Sequence, residues 1–457
     1  MDKFIQAMQQ KDALTANGAV TNSTSLNKCL DFFFIAGNRV DFTKEFLAAY
    51  GEDPIIATRI LFWSRDCRGG SGARKGFQSV LKYLQNSNKQ LFLKLFKYIP
   101  EYGYWKDIFV LEPTEELLEF TWETLNNDKG HSLCAKFFPR KGQWFKKMCA
   151  FKCLKFSDFR HLLVSKTQVV ENLLCSKQFS SIGYSHVPSL ANKLYSKTFS
   201  KWDGTRYQAY LESVLKGKSS MNAGVLYPCD VYHFYEQNRN DDATRAMWKN
   251  LKQYDYTEKI FPICDVSGSM TAGPDKIKPI DVSISLGVYL SEHNTGVFHN
   301  AFMTFSSEPD FVYLTGDDIV SKFDQLERAE WGFNTDLVKS FQLILDQAIK
   351  HNLSQEDLPS KVLVISDMEF DRSGDLTNFE TINKMYNESG YIRPGLVFWN
   401  VCGRAGNVPA NMYDENVALI SGYSPATIES VLNCDILSPI EIMIRTVFSD
   451  RYSSIII

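Results

Sequence analysis

The spacing of apolar residues divides the chain into two regions that differ in their predicted secondary structure. In residues 1–250, apolar side chains recur at positions i, i+3, i+4 and i+7, a spacing typical of amphipathic helices. Short breaks rich in glycine or proline separate these segments, as at residues 69–72, 100–103 and 187–189. Serial helices joined by short turns predict an all-α helical array of the stacked, HEAT-like kind. The clearest segments are Phe77, Val80, Leu81 and Leu84; Phe92, Leu95, Phe96 and Ile99; and Tyr207, Tyr210, Leu211 and Val214.

From about residue 258 the pattern changes to short apolar runs separated by helical stretches. The runs cover residues 260–264, 361–366, 395–401 and 417–420. Buried strands that alternate with helices predict a doubly wound, mainly parallel α/β sheet of the Rossmann-like kind. Residues 282–290 alternate as a strand would, but the connection that follows Asp265 requires a helix, which we predict there. The domain boundaries are therefore set at 1–250 and 255–457.

Chain length and charge support the same division. A chain of 457 residues is too long for one ordinary core, so two domains are expected and three are possible. Residues 1–250 contain 35 basic and 24 acidic residues, a net charge of +11, whereas residues 251–457 contain 15 and 29, a net charge of −14. Residues 131–220 alone carry 16 basic against 4 acidic residues. Such asymmetry is typical of proteins with one half that faces nucleic acid or a charged partner.

The cysteines and the apolar segments predict a soluble protein of the cytoplasm. The N-terminal residues lack the apolar core of a secretory signal, and no stretch approaches the roughly 18 apolar residues that a membrane span needs. The ten cysteines are scattered, and only Cys149 and Cys153 lie one helical turn apart, without a second pair to complete a zinc site. We therefore predict buried free thiols in a reducing compartment.

Polar residues follow two of the predicted strands and predict a metal site. Asp265 and Asp367 each end a strand, and in an open α/β sheet ligands gather at the carboxyl ends of the strands. Ser267 and Ser269 lie on the loop after Asp265, and Thr335 precedes a predicted helix. These five oxygen donors suit Mg²⁺ or Mn²⁺, which prefer octahedral oxygen ligands. For the Asp-x-Ser-x-Ser loop alone, the alternative is an Asx- or Ser-type turn with no ligand.

The order Asp-x-Ser-Gly-Ser-Met, then Asn-Thr-Asp, then Ile-Ser-Asp resembles the metal-ion-dependent adhesion site of von Willebrand factor A domains. The resemblance implies that Asp265, Ser267, Ser269 and Thr335 bind the metal directly or nearly so, and that Asp367 binds it through water. It also implies that a partner protein supplies a Glu or Asp to the open coordination position. The nearby Glu369 and Asp371 do not belong to that set, and we expect them in a solvated loop.

Catalysis at this metal is not expected. A catalytic metal needs a nearby base or nucleophile, and no histidine is close in sequence to the predicted loops. An aspartyl-phosphate phosphatase would require Asp-x-Asp after the first strand, where this chain has Ser267. A metal-dependent phosphohydrolase remains a weaker alternative to a non-enzymatic binding protein.

Basic residues in the helical half are candidates for contact with nucleic acid. Three arginines flank the glycines at 69–72, although this turn lacks the phosphate-binding-loop pattern and more simply joins two helices. Residues 136–160 interleave basic and aromatic side chains, which can neutralise phosphates and stack on bases. The alternative is an amphipathic helix pair with its rings in the core and its lysines in solvent. The candidates are Arg65, Arg68, Arg74, Lys136, Arg140, Lys141, Lys146, Lys147 and Lys152.

Several segments together resemble a family of unknown function found in plants and giant viruses, the domain of unknown function 2828 type. They are Arg-Asp-Cys-Arg-Gly-Gly at 65–70, Tyr-Gly-Tyr-Trp-Lys-Asp at 102–107, Ala-Lys-Phe-Phe-Pro at 135–139 and Val-Pro-Ser at 187–189. That family pairs a helical region with a C-terminal von Willebrand factor A domain. The layout is more distantly similar to the Ro autoantigen (TROVE) ribonucleoproteins, in which a ring of helical repeats binds small RNA.

These observations favour a helical scaffold for RNA, fused to a metal-binding domain that contacts a protein partner or the scaffold itself. The rival hypothesis is a protein–protein adaptor whose basic half meets an acidic protein. No feature predicts specificity for DNA or a membrane role.

Overall fold

Residues 28–249 fold into a succession of helices joined by short turns. The computed structural model describes residues 11–127, 131–238, 240–254, 258–272, 275–305, 309–328, 335–432 and 437–457. The helices are α1 (Lys28–Ala36), α2 (Thr43–Glu52), α3 (Pro54–Arg65), α4 (Lys75–Ser87), α5 (Lys89–Leu95), α6 (Ile99–Tyr102), α7 (Trp105–Ile108), α8 (Glu115–Asn126), α9 (His131–Phe137), α10 (Gln143–Phe151), α11 (Phe156–Lys166), α12 (Val170–Cys175), α13 (Ser189–Trp202), α14 (Gly204–Leu215), α15 (Pro228–Asn238) and α16 (Asp241–Lys249).

The apolar spacing seen in the sequence is the reason these helices pack. In α4, Phe77, Val80, Leu81 and Leu84 lie on one face and are buried, whereas the opposite face is polar. Within the described residues the cysteines are free thiols, most of them buried, as predicted; Cys153 and Cys175 are exposed, and Cys434 lies outside the described residues. None of the helices in the described part of the chain is long and apolar enough to cross a membrane.

Residues 260–447 form a six-stranded mixed sheet and the helices that cover it. The strands are β3 (Ile260–Asp265), β4 (Ala301–Phe305), β5 (Asp310–Tyr313), β6 (Lys361–Ser366), β7 (Gly395–Asn400) and β8 (Val417–Ser421); the helices are α17 (Pro279–His293), α18 (Ile319–Glu327), α19 (Leu337–Lys350), α20 (Asn378–Ser389), α21 (Ile428–Leu432) and α22 (Pro439–Val447). The strands lie in the order β5-β4-β3-β6-β7-β8, with parallel pairing throughout except for β4 and the edge strand β5. The four strands predicted from apolar runs are present, β4 and β5 were not predicted, and residues 282–290 are helical as expected.

The helical region contacts the sheet region at both of its ends. Helices α1 and α3 pack against β8 and α22, and helices α15 and α16 pack against α17 and α18. At the first contact the backbones touch: the Gly37 amide donates to the Ser421 hydroxyl at 3.0 Å, and a β-carbon on Gly37 would lie 2.3 Å from the Ser421 carbonyl oxygen. The early and the late helices of this region therefore both rest on the sheet region.

One short segment departs from the all-α prediction for residues 1–250. Strands β1 (Ala13–Leu14) and β2 (Val20–Thr21) form an antiparallel pair, joined by residues 15–19. This pair lies on the sheet region, where single bridges join Gly18 to Asp371, Val20 to Thr377 and Asn22 to Val408. The departure has a physical cause, because the polar groups of this segment find their partners on residues more than 300 positions away, which local spacing does not reveal.

Candidate functional site

The carboxyl ends of β3 and β6 bring two aspartates together, as the sequence predicted for parallel strands. We call this part of the sheet the carboxyl edge. Asp265 ends β3, and Asp367 directly follows β6, the strand paired with β3. Both side chains are buried, and the Ser366 hydroxyl donates to Asp265 Oδ2 at 2.6 Å. Two carboxylates thus meet at the carboxyl edge, away from bulk water.

Burial makes this pair of carboxylates costly to ionise without a cation. Burial raises the pKa of Asp265 to about 6, and the neighbouring Asp367 adds to that rise. Burial also raises the pKa of Asp367, against the opposing effects of the Glu369 amide, the Ser269 hydroxyl and Arg404. Desolvation and like charge both disfavour the ionised forms, so a bound cation would stabilise this edge.

The loop after β3 adds two hydroxyls beside the carboxylates. The Ser267 amide donates to Asp265 Oδ1 at 2.9 Å, which turns the loop back over the strand end. The Ser267 and Ser269 hydroxyl oxygens lie 3.0 Å apart. The Asx-type turn that we considered as the alternative is therefore present, and it brings the two hydroxyls close together.

Thr335 reaches the same edge through residues that follow Asp367. Its hydroxyl lies 3.0 Å from the Glu369 carbonyl oxygen and 2.9 Å from Asp371 Oδ1, and its amide donates to Asp371 Oδ2 at 3.0 Å. The side chain is buried. The structure thus links Asp265, Ser267, Ser269 and Asp367 closely, and joins Thr335 to them through the Glu369–Asp371 segment. Residues 332–334 of the predicted motif lie outside the described residues.

These residues fit a hard divalent cation. Asp367 Oδ2 is buried and has no hydrogen-bond partner among the described residues. The donors at this edge are carboxylate and hydroxyl oxygens, which suit Mg²⁺ or Mn²⁺ rather than zinc or copper. An unpartnered buried carboxylate oxygen is the kind of group that a metal, or a water bound to it, would satisfy.

The prediction of a solvated loop for Glu369 and Asp371 is wrong. Glu369 is buried; its Oε1 lies 2.9 Å from an Arg404 Nη, and its other carboxylate oxygen accepts from the Ala16 amide. Asp371 is half-buried and holds Thr335. Both residues lie in the loop that leaves β6, so the expectation that ligands gather at the carboxyl ends of strands could have included them.

The turn between β1 and β2 covers this edge. The Thr15 hydroxyl donates to the Phe370 carbonyl oxygen at 2.7 Å. The Asn17 amide nitrogen donates to the Thr335 hydroxyl at 2.9 Å and to the Glu369 carbonyl oxygen at 2.7 Å. No motif in residues 11–24 predicted this contact.

A further group of possible ligands lies where α15 meets α17. His233, Glu236 and Asp281 place one ligand atom each within 4.8 Å of one another. Asp281 also accepts from the Lys278 amide at 2.7 Å at the start of α17, and the Gln237 side chain lies 2.7 Å from His233 Nε2. Helix capping and packing between the two regions account for this group.

Several arginines and lysines predicted to contact nucleic acid have other partners. Arg65 is 2% exposed and its Nε donates to the buried Asp107 at 2.8 Å, so it cannot reach a phosphate; this prediction is corrected. Arg74 Nε donates to the same carboxylate at 3.2 Å, although the Arg74 side chain is 48% exposed. The buried pair has a structural role, because it joins the glycine-rich turn to the segment at 104–107.

The segment at 136–160 divides between core and surface. Phe138, Trp144 and Phe145 are buried, so the alternative interpretation of the rings as core residues holds for them. Lys147 donates to the Pro113 carbonyl oxygen at 3.2 Å, Lys152 pairs with Glu119 at 2.5 Å, and Arg140 is partly buried. Lys141 and Lys146 are exposed.

Two of the predicted basic residues, Arg68 and Lys136, line a groove of about 1010 Å³ in the helical region. We call it the basic groove. Lys106, which the sequence did not single out, lines it as well, and the Phe137 ring lies 5.0 Å from the Lys106 ammonium and 5.3 Å from the Lys136 ammonium. Lys136 also pairs with Glu171 at 2.6 Å. The groove is also lined by Tyr104, Leu133, His186, Leu190 and Leu194.

The chain is similar to a curated viral protein and to a solved bacterial structure. A curated relative, an uncharacterized protein of Acanthamoeba polyphaga mimivirus, is 25% identical over 95% of this chain and 86% of its own length. A solved structure, the crystal structure of the Deinococcus radiodurans RO (RSR) protein, gives a TM-score of 0.45 at 13% identity, covering 93% of this chain and 99% of that one.

Two family models match the two regions. Residues 259–447, the sheet region, match "Domain of unknown function (DUF7788)". Residues 15–112 and 150–259, most of the helical region, match "Domain of unknown function (DUF2828)". The resemblance expected from the sequence motifs is confirmed for the helical region, which matches the model of Domain of unknown function (DUF2828).

Proposed function

We propose that this protein is a non-enzymatic RNA-binding scaffold whose basic groove holds a single-stranded segment. The observation that carries the proposal is the lining of the groove, where Arg68, Lys106 and Lys136 lie together with the rings of Tyr104 and Phe137. Ammonium and guanidinium groups neutralise phosphates, and exposed aromatic faces stack on unpaired bases. The net charge of +11 on residues 1–250 favours a polyanion over a neutral ligand.

We further propose that the sheet region is a von Willebrand factor A-type domain that binds Mg²⁺ or Mn²⁺. Asp265, Ser267, Ser269 and Thr335 would hold the ion, and Asp367 would act through a water. When bound, the ion supplies an electrophilic position for a carboxylate. The buried, unpartnered Asp367 Oδ2 supports this role. The protein residues orient that position, and Asp371 fixes the Thr335 side chain.

The metal-dependent phosphohydrolase is less well supported. Ser267 stands where a phosphoaspartate enzyme would carry a second aspartate, and its hydroxyl lies against Ser269. Hydrolysis of a generic phosphoester that is lost in Asp265→Ala would revive the enzyme hypothesis.

Fluorescence anisotropy tests the RNA proposal on the full chain, because the helical region packs against the sheet region at both ends. The probe is a labelled RNA hairpin with a single-stranded tail, titrated at salt concentrations from about 50 to about 200 mM. We expect binding with a steep salt dependence. The triple variant Arg68→Gln, Lys106→Gln, Lys136→Gln should lower the log–log salt slope by about 2, since each single-strand phosphate contact contributes about 0.7.

The matched control is the double variant Lys141→Gln, Lys146→Gln, which removes exposed charges of the same region outside the groove lining. It should bind RNA as the unmodified chain does. Absence of binding by the full chain, or equal losses in the groove and control variants, would contradict the proposal.

The adaptor hypothesis is favoured by a different feature of the same groove. Leu133, Leu190 and Leu194 line it and are 46%, 40% and 70% exposed. Exposed leucines beside basic residues suit an amphipathic, acidic helix. Binding of such a peptide with a shallow salt slope, together with no binding of RNA, would favour an adaptor.

A further inference from the structure

Arg404 lies against two buried carboxylates at the carboxyl edge. One Nη of Arg404 is 2.9 Å from Glu369 Oε1, and the other is 3.7 Å from Asp367 Oδ2. The arginine side chain is 41% exposed, whereas those of Asp367 and Glu369 are 0% and 8% exposed. One partly solvated cation therefore faces two desolvated anions.

The loop that carries Arg404 is held in place by its backbone. The amides of Cys402 and Gly403 both donate to Asn400 Oδ1, at 3.0 and 2.9 Å. Gly403 has a φ of +75°, and a β-carbon there would lie 2.7 Å from the β-carbon of Asn38. Arg404 therefore extends from a fixed point toward the two carboxylates, and its outer face remains open to solvent.

The contacts of Arg404 with the two carboxylates are unequal. At 2.9 Å the contact with Glu369 is an ion pair of hydrogen-bond length, whereas at 3.7 Å the contact with Asp367 is electrostatic only, and Asp367 Oδ2 keeps no hydrogen bond. Arg404 thus lowers the negative potential at the edge but forms no hydrogen bond with Asp367 Oδ2, the oxygen that a metal or its bound water would contact. A divalent ion at this edge would lie close to the guanidinium, and like charges at short range repel strongly where water is excluded.

We infer that Arg404 is a built-in cation whose charge opposes a divalent metal at Asp367 and so lowers the metal affinity of this edge. The inference rests on the metal site proposed above. Metal affinity is therefore weaker than the five oxygen donors alone would give.

Isothermal titration with Mn²⁺ and Mg²⁺ on the full chain tests this inference. Arg404→Gln removes the charge and should tighten metal binding by about ten-fold, a coupling of ordinary size between two bound groups. Arg404→Lys keeps the charge and should bind close to the unmodified chain. Arg372→Gln is the matched control: Arg372 is in the loop after β6, is 63% exposed and pairs with the exposed Asp375 at 3.0 Å, so its loss should leave metal binding unchanged.

The possible outcomes separate this inference from the metal site itself. Equal affinity of the unmodified chain and Arg404→Gln would overturn the inference about Arg404 and leave the metal site standing. Binding by Arg404→Gln alone would support the inference. Binding by neither would overturn both proposals. If Arg404→Lys bound metal about ten-fold more tightly than the unmodified chain, opposition by charge would be overturned, because a purely structural role of the guanidinium would explain the change.

Discussion

In the sheet region the candidate ligands come from residues that end parallel strands, whereas in the helical region the candidate contacts come from turns and helices far apart in the chain. The first arrangement uses buried carboxylates whose ionised forms burial disfavours, as in Asp265 and Asp367. The second uses exposed groups on the lining of a groove, such as Arg68 and Lys106.

The two regions differ in where their charged side chains lie and in which partners those side chains have. The acidic sheet region keeps the carboxylates of Asp265 and Asp367 away from water. The basic helical region engages several of its charges in local pairs, such as Lys152 with Glu119 and Arg65 with Asp107. Net charge therefore separates the two regions, but it does not show which residues are available to a ligand.

The largest effect is expected where the helical region buries a charge. Asp107→Asn would leave Arg65, which is 2% exposed, without its ionic partner. We expect the free energy of unfolding to fall by about 3–5 kcal/mol, measured by urea denaturation followed by circular dichroism. Glu171→Gln, at the half-buried pair with Lys136, should cost about 1 kcal/mol or less. Similar losses for both variants would show that the Arg65 pair is no more structural than a surface pair.

The second-largest effect is expected at the buried carboxylates of the sheet region. At a concentration about a hundred-fold above its Kd, Mg²⁺ should stabilise the unmodified chain by about 2.7 kcal/mol, seen as a higher Tm. Asp265→Ala should abolish this stabilisation, and Ser267→Ala should weaken it less because a water can replace a hydroxyl. Asp346→Ala removes an exposed carboxylate of the same region and should change nothing. Undiminished stabilisation in Asp265→Ala would exclude these residues as ligands.

A third and smaller effect is expected where the first residues of the chain meet the sheet region. Asn17→Ala removes the hydrogen bonds to Thr335 and Glu369, worth about 1–2 kcal/mol together. The amides of residues 13–21 should then exchange with deuterium roughly ten-fold faster. Ser23→Ala, which loses an exposed bond to Asp12 in the same segment, serves as the control and should leave their exchange unchanged. If these amides exchanged at the same rate in Asn17→Ala and in the unmodified chain, contacts of other residues would hold the turn in place.

The smallest effect concerns a single charge in the basic groove. Lys106→Gln should reduce the log–log salt slope of RNA binding by about 0.7, the contribution of one phosphate contact on a single strand. Lys141→Gln should leave the slope unchanged, because Lys141 lies outside the groove lining. The reverse result would place the RNA near the turn that precedes α10 and outside the groove.

The sheet edge was predictable to the extent that strand topology determines it. Apolar runs marked β3 and β6, and parallel pairing then required Asp265 and Asp367 to meet. Glu369 and Arg404 were not predicted, because their contact depends on the path of the loop after β7, which no periodicity describes.

The basic groove was less predictable for a related reason. Helical spacing shows which face of a helix is apolar, but not which helices adjoin. Arg68, Lys106 and Lys136 come from three separate segments, and only their packing makes them neighbours. The same limit explains why Arg65 was a candidate: the carboxylate that binds it lies 42 positions away.

The strand pair near the start of the chain has a consequence for synthesis. Thr15, Ala16 and Asn17 dock on residues 318 to 355 positions further along. At ribosomal rates of about 5–20 residues per second, this segment waits on the order of tens of seconds for its partners to emerge. During that time residues 15–17 have no sheet to join, and the carboxyl edge gains its cover only after residues 369–371 have left the ribosome. Closure of the edge therefore follows the synthesis of the segment after β6 and cannot precede it.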